Sequence, residues 1–237
     1  MTWYPEGAVL SDRARDFLRL EAERRPFAGD PDQDASDAAE CDAWFGIPSS
    51  RILEWLGRLR GVWAGISYRS FSWSFDEVIG FSPSLDCDPD DGEPMLSLVE
   101  HSVAHPFGVW VNMRSEVYYM FPGEQGGEYV KVFDRVESIV ESDSLYSESR
   151  GLRQLAVGGR ERSLVISDAA ARQLSLIDEG SGPTERWWQG DGFRVHVWDT
   201  WAELFKNPEL SKWAVWGNSA AGVEKARHFV DSCGYSA

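Results

Sequence analysis

The spacing of apolar residues changes period near residue 61, from helical to alternating, and that change restricts the fold more than any other feature of the chain. Before it, apolar side chains recur every three to four positions; after it, they alternate. Ala14, Phe17, Leu18 and Ala22 line one stripe of a helix expected over residues 10–25, with Ser11 as its cap and Asp12 at its positive end. Ile52, Leu53, Leu56 and Leu59 line a second, expected over residues 49–60 between Pro48 and Gly61. A shorter helix is expected over 38–45, ended by Gly46, after a loop over 26–37. From Val62 to Phe75 the chain turns aromatic and β-branched, and Phe71, Trp73 and Phe75 alternate with serines, the period of a strand with one buried face. Further strands are expected at 95–103, 108–113, 116–121 and 129–133, with Arg114-Ser115 as a hairpin connection. Helices followed by consecutive strands predict an α+β protein: a twisted, mainly antiparallel central sheet with helices packed mostly on one face.

The C-terminal third is more mixed. A capping-box-like Asp134 and Glu137 predict a helix, residues 146–163 a polar connection, and Ser167 a helix running to Ile177. Strands are expected at 193–198 and 213–216, a short helix from Thr200, and a closing helix over 219–233. Residues 131–140 and 196–205 share a form, a strand ending in an aromatic, then Asp, then an amphipathic helix. The expected organisation is a domain over 1–145 and an extension over 146–237, packed on the same core.

Charge narrows the function classes. The net charge is −16, and more than half of the excess lies in residues 76–133, which carry eleven acids and two bases. Between Asp76 and Glu100 there is no Lys or Arg. Such a field repels phosphate backbones, which argues against direct nucleic-acid binding, and it attracts and steers a basic protein. No run of residues is long and apolar enough for a membrane span, and no basic segment with an apolar stretch opens the chain. Cys41, Cys87 and Cys233 are odd in number and far apart, which argues against a disulfide framework and for a reducing cytoplasm. Twelve tryptophans are many for 237 residues; a Trp-rich core accounts for them, and a contact surface is the alternative.

No catalytic, metal or cofactor motif is complete. Asp86, Asp88 and Asp90 alternate like the start of a calcium loop, but Gly92 falls one place late and Ser97 stands where a bidentate glutamate belongs. Asp30, Asp32 and Asp34 fail in the same way, at Ala35 and Cys41. His101 and His105 are four apart in a segment read as strand and turn, so they do not share a helix face for zinc. The glycines at 123–127 and 158–159 match neither a Walker loop nor a dinucleotide fingerprint.

One stretch carries a family resemblance. Residues 39–61, AECDAWFGIPSSRILEWLGRLRG, resemble the opening of SUKH-superfamily domains: a helix, a small-residue-and-proline turn, and a second helix running into Gly. Phe107 to Tyr119 resembles that family's central strands and Val130 to Val140 its closing strand and helix, so the likeness covers about residues 38–145. Many bacterial members are immunity proteins that bind and neutralise toxins, often nucleases or deaminases, without being enzymes. The resemblance therefore implies a non-enzymatic partner-binding protein with no cofactor and a protein toxin as partner; the acidic middle region, independently, suits a basic one. The surface expected to meet it is the acidic loop with Asp86, Asp88, Asp90, Asp91 and Glu93. The alternatives are a regulatory or scaffolding module, and a hydrolase assembled around His101 or His105.

Overall fold

The computed structural model describes residues 5–102, 107–121, 128–155, 166 and 172–235. Helix α1 (Asp12–Glu21) begins where the Ser11 side chain accepts from the Ala14 N–H. It stops short of the expected end because the chain passes into β1 (Glu23–Arg24), an edge strand paired with β2 (Ile66–Arg69). Helix α2 (Pro31–Phe45) begins seven residues before its expected start. Asp30 caps it by accepting from the Asp32 and Gln33 N–H groups, and Pro31 occupies its first turn. The acids read as loop are thus the favoured first turn of a helix. Helix α3 (Ser49–Trp63) runs through Gly61 to bury Trp63, which stacks on Phe81 at 5.2 Å. That burial outweighs the roughly 1 kcal/mol helix cost of a glycine. The reversal falls instead at Gly65, whose φ of +79° suits a residue without Cβ.

Strands β1, β2, β3 (Val78–Leu85), β4 (Met95–His101), β5 (Gly108–Asn112), β6 (Val117–Phe121) and β7 (Glu128–Phe133) form one antiparallel sheet in chain order. Val109, Val111, Val117, Tyr119, Val130 and Val132 point to one face and pack with the stripes of α1 and α3. Position 115 needs φ +68° in the β5–β6 hairpin; Ser115 adopts it, and Asn112 Oδ1 holds the turn by accepting from the Arg114 and Glu116 N–H groups. The strand expected over 62–75 covers only Ile66–Arg69. The alternation beyond it belongs to a loop in which Ser70, Ser72, Ser74 and Phe75 are buried. Ser70 donates there to Asp143, and Ser74 accepts from Trp198 Nε1 at 3.0 Å.

Helix α4 (Glu137–Ser149) starts at Glu137 rather than Asp134 and has no side-chain cap. Beyond it, β8 (Arg153–Gln154), β9 (Ser175–Leu176), β10 (Glu185–Gly190), β11 (Phe193–Trp198) and β12 (Lys212–Gly217) form a second antiparallel sheet in the order β8-β12-β11-β10-β9. Residues 175–176 are strand, so the helix expected to run to Ile177 does not reach it; residues 167–171 lie outside the described residues. A short helix α5 (Thr200–Leu204) follows β11, and α6 (Ala220–Ser232) closes the chain with Ser219 as its cap. Helix α6 covers one face of this sheet through Ala226, Phe229 and Val230, and α4 meets the other through Leu145 and Tyr146.

The fold is therefore α+β, with the first sheet covered by helices on one face and a second sheet behind α4. The boundary expected between residues 145 and 146 falls inside α4. Although Ser138, Glu141, Ser142, Asp143 and Ser144 are polar, all are buried. Glu141 accepts from the Ser11 N–H and hydroxyl and pairs with Arg13 of α1 at 2.7 Å. Ser142 donates to Glu185 of β10 and accepts from Trp187 Nε1 at 3.0 Å. Close backbone contact joins the sheets as well: a Cβ on Gly182 would lie 1.9 Å from the Val132 carbonyl oxygen.

Candidate functional site

The acidic loop joins β3 to β4. Asp88 opens a single 3-10 turn (Pro89–Asp91): its carboxylate accepts from the Asp90 N–H at 2.9 Å, and Asp91 returns a bond to the Asp88 N–H. Asp86, Asp88 and Asp90 are exposed, whereas Asp91 and Glu93 are half-buried. Partial desolvation, then the charges of Asp37 and Asp88, raise the Asp86 carboxyl. Desolvation also raises Asp91, against the hydroxyl of Tyr129, which donates to it. Among the described residues no Lys or Arg pairs with Asp37, Asp86, Asp88, Asp90 or Asp91.

The loop does not stand alone. A disulfide joins Cys41 of α2 to Cys87, between Asp86 and Asp88. This corrects the expectation drawn from the scattered cysteines: residues 46 positions apart in sequence meet because α2 packs beside the β3–β4 connection. Asp37 and Trp44 lie at i−4 and i+3 from Cys41 along α2; Asp37 is near enough to raise the Asp86 carboxyl, and the Trp44 indole is 43 % exposed. Behind Asp91, Tyr129 meets Trp110 edge-on at 6.1 Å and Tyr118 at 6.2 Å on the sheet face away from the helices. Trp110 itself is buried; an exposed aromatic on the helix that bears Cys41 is Trp44, which the sequence did not single out as part of this face.

Glu93 parts company with the four aspartates. It takes a two-point contact from Arg114, at 2.9 and 3.2 Å, and a bond from Asn112. Arg114 also bonds Glu116, which Lys131 meets at 2.7 Å. These donors, Lys131 foremost, lower the Glu116 carboxyl to about 2. Glu93 thus belongs to a neutralised charge chain at the β5–β6 hairpin.

Of the histidines read as catalytic candidates, His101 is paired with Glu77 at 3.0 Å and lies among Phe75 and Phe107. Ser102 donates to the same carboxylate at 2.8 Å. The carboxylate therefore stands between the other two groups, whereas a nucleophile relay needs the imidazole there. His105 lies outside the described residues. A richer acid-base cluster sits between the sheets: Asp143, Glu185, His196, Tyr68 and Tyr146, each at most 5 % exposed. Asp143 is pushed up to about 7, by burial above all and against the hydroxyls of Ser70 and Tyr68 that donate to it. Burial lowers His196, whose ring stacks on Trp187 at 3.9 Å. No substrate reaches groups sealed in this way, so their role is in holding the sheets together.

Among the described residues no group of three or more His, Cys, Asp or Glu side chains is arranged to hold a metal ion, and no helix is long and apolar enough to cross a membrane. Comparison with protein-family models, with curated proteins and with solved structures finds no match for the chain.

Proposed function

We propose that the chain is a non-enzymatic binding protein of the SUKH type that neutralises a basic protein toxin, docking it on the face formed by Asp37, Asp86, Asp88, Asp90, Asp91 and Trp44. The observation that carries this reading is the unneutralised acidic cluster held in place by the Cys41–Cys87 bond. Folding holds these carboxylates beside one another, with Asp86 raised in part by its neighbours. A cationic partner relieves that repulsion on binding, and a loop already ordered loses little entropy in doing so. The same field keeps nucleic acid away, so occlusion of a nuclease or deaminase cleft would work through protein contact. The toxin would be met in the cytoplasm, where a disulfide persists only if shielded from thiol reductants; Cys41 is fully buried and Cys87 half-buried.

The test is association of the full chain with the product of the neighbouring open reading frame, followed by stopped flow at low and high salt. Changing Asp86, Asp88, Asp90 and Asp91 to Asn should slow association about tenfold at low salt and flatten the salt dependence. Association that is salt-independent and unchanged in this variant overturns the proposal.

A further inference from the structure

A cavity of about 970 Å³ opens where α1, β1 and α3 end. Its wall carries four arginines, Arg19, Arg24, Arg25 and Arg60, and no acid, in a chain of net charge −16. Leu18, Ala22, Pro26 and Phe27 supply an apolar side. We infer that this cavity binds a small organic phosphate, its anionic head held by Arg19 and Arg25 and its apolar body lying along Pro26 and Phe27.

The four arginines divide by role. Arg60 is fixed: it bonds both oxygens of Asp34, donates to the Pro83 carbonyl at 2.8 Å, and lies over the Phe27 ring at 5.1 Å. Arg24 donates to the Gly61 and Ala64 carbonyls, at 3.0 and 3.2 Å, and so offsets the negative end of α3 that would otherwise face an anion. Arg19 and Arg25 are different. Their acid partners, Asp16 and Glu23, form exposed pairs at 2.7 and 3.2 Å, with every member at least half exposed. Such pairs contribute little and exchange readily for a better anion. A phosphate offers a dianion that two guanidinium forks can grip together.

Gly29 lines the wall, and Gly65 lies against the backbone of Arg25. A Cβ on Gly29 would stand 2.7 Å from Arg60 Nη1, and one on Gly65, where φ is +79°, would stand 2.0 Å from the Arg25 carbonyl oxygen. Glycine at these positions lets the Arg60 guanidinium and the Arg25 backbone reach the cavity edge. The volume exceeds what inorganic phosphate fills and falls within the range of small-molecule sites. The chain's overall negative field admits a small anion into a local positive site while opposing a polyanion.

Titration calorimetry with phenyl phosphate at about 50 mM salt tests this on the full chain. Phenyl phosphate should bind with a Kd on the order of 1 mM or tighter, and phenol should bind at least tenfold more weakly. The exposed double variant Arg19→Gln/Arg25→Gln should keep the fold and weaken phenyl phosphate about tenfold or more. Amide chemical-shift mapping on the unmodified chain should place the shifts at residues 18–29 and 60–64, whatever the variant does. Absence of binding at 10-fold above about 1 mM, shifts elsewhere, or unchanged affinity in the double variant overturns the inference. The aspartate variant of the acidic face should still bind phenyl phosphate, so the two proposals fail separately.

Discussion

Replacing Asp143 with Asn should make the protein more stable at pH 8 than the unmodified chain, although Asp143 is 1 % exposed and hydrogen-bonded. The folded carboxyl titrates at about 7 against 3.8 for an aspartate free in water. A carboxyl raised on folding favours the folded state fully only below its unfolded value. That contribution is lost as pH climbs through the folded value. Between those limits the loss is about 4 kcal/mol at 1.36 kcal/mol per pH unit. Asn is neutral throughout, and Tyr68 and Ser70 can each turn a hydroxyl to serve either end of its amide. The stability difference between variant and unmodified protein should therefore widen by about 3 kcal/mol from pH 5 to pH 8, read from urea unfolding at each pH. Titration of groups common to both proteins cancels in that difference, apart from their coupling to Asp143, chiefly through Glu185. A difference constant with pH, or an Asn variant equally weakened at both, would refute the assignment of a neutral buried acid.

Two further perturbations probe the frame. Glu141→Ala leaves Arg13 and Ser11 without their buried acceptor, and should lower the unfolding free energy by about 3–5 kcal/mol in the same assay. Replacing Cys41 and Cys87 together with Ala removes a cross-link spanning 46 positions, which chain entropy values at about 4 kcal/mol as an upper figure. Dithiothreitol should destabilise the unmodified protein and leave the double variant unmoved; equal response of both would show that the bond contributes nothing.

Much of the first sheet was legible because its signals are local. The stripes at Ile52, Leu56 and Leu59 and the alternation through Val109, Val111, Val117 and Tyr119 are set by neighbours within a few residues. The acidic loop was legible for the same reason. Its staple was not: Cys41 and Cys87 meet only once α2 lies beside β3, and spacing alone does not report that contact. Strand β10 escaped because its buried face includes Glu185 and its half-exposed face carries Trp188, so apolar and polar residues do not alternate in the sequence. The arginine cavity escaped because its four guanidinium groups come from three separated segments. Helix α4 was expected to end before residue 146, and its buried polar face was not read, because its partners are remote: Ser11 and Arg13 lie about 130 positions away and Glu185 43.

Those remote partners also explain why a helix so polar is buried at all. An apolar α4 could settle between two sheets in several rotations, since hydrophobic contact has no direction. Serines at 138, 142 and 144 are small enough to let both sheets approach, and Glu141, Ser142 and Asp143 each find their partners in a different direction. Glu141 reaches α1, Asp143 reaches Tyr68 and Ser70, and Ser142 reaches Glu185 and Trp187. Rotating the helix by one position would strand buried carboxylates without donors, at a cost of several kcal/mol. The helix thus sets one register between the sheets. Both proposed binding regions, the acidic face and the arginine cavity, draw their residues from the first sheet and its helices. What the second sheet supplies to them is a fixed backing through α4, not a contact residue.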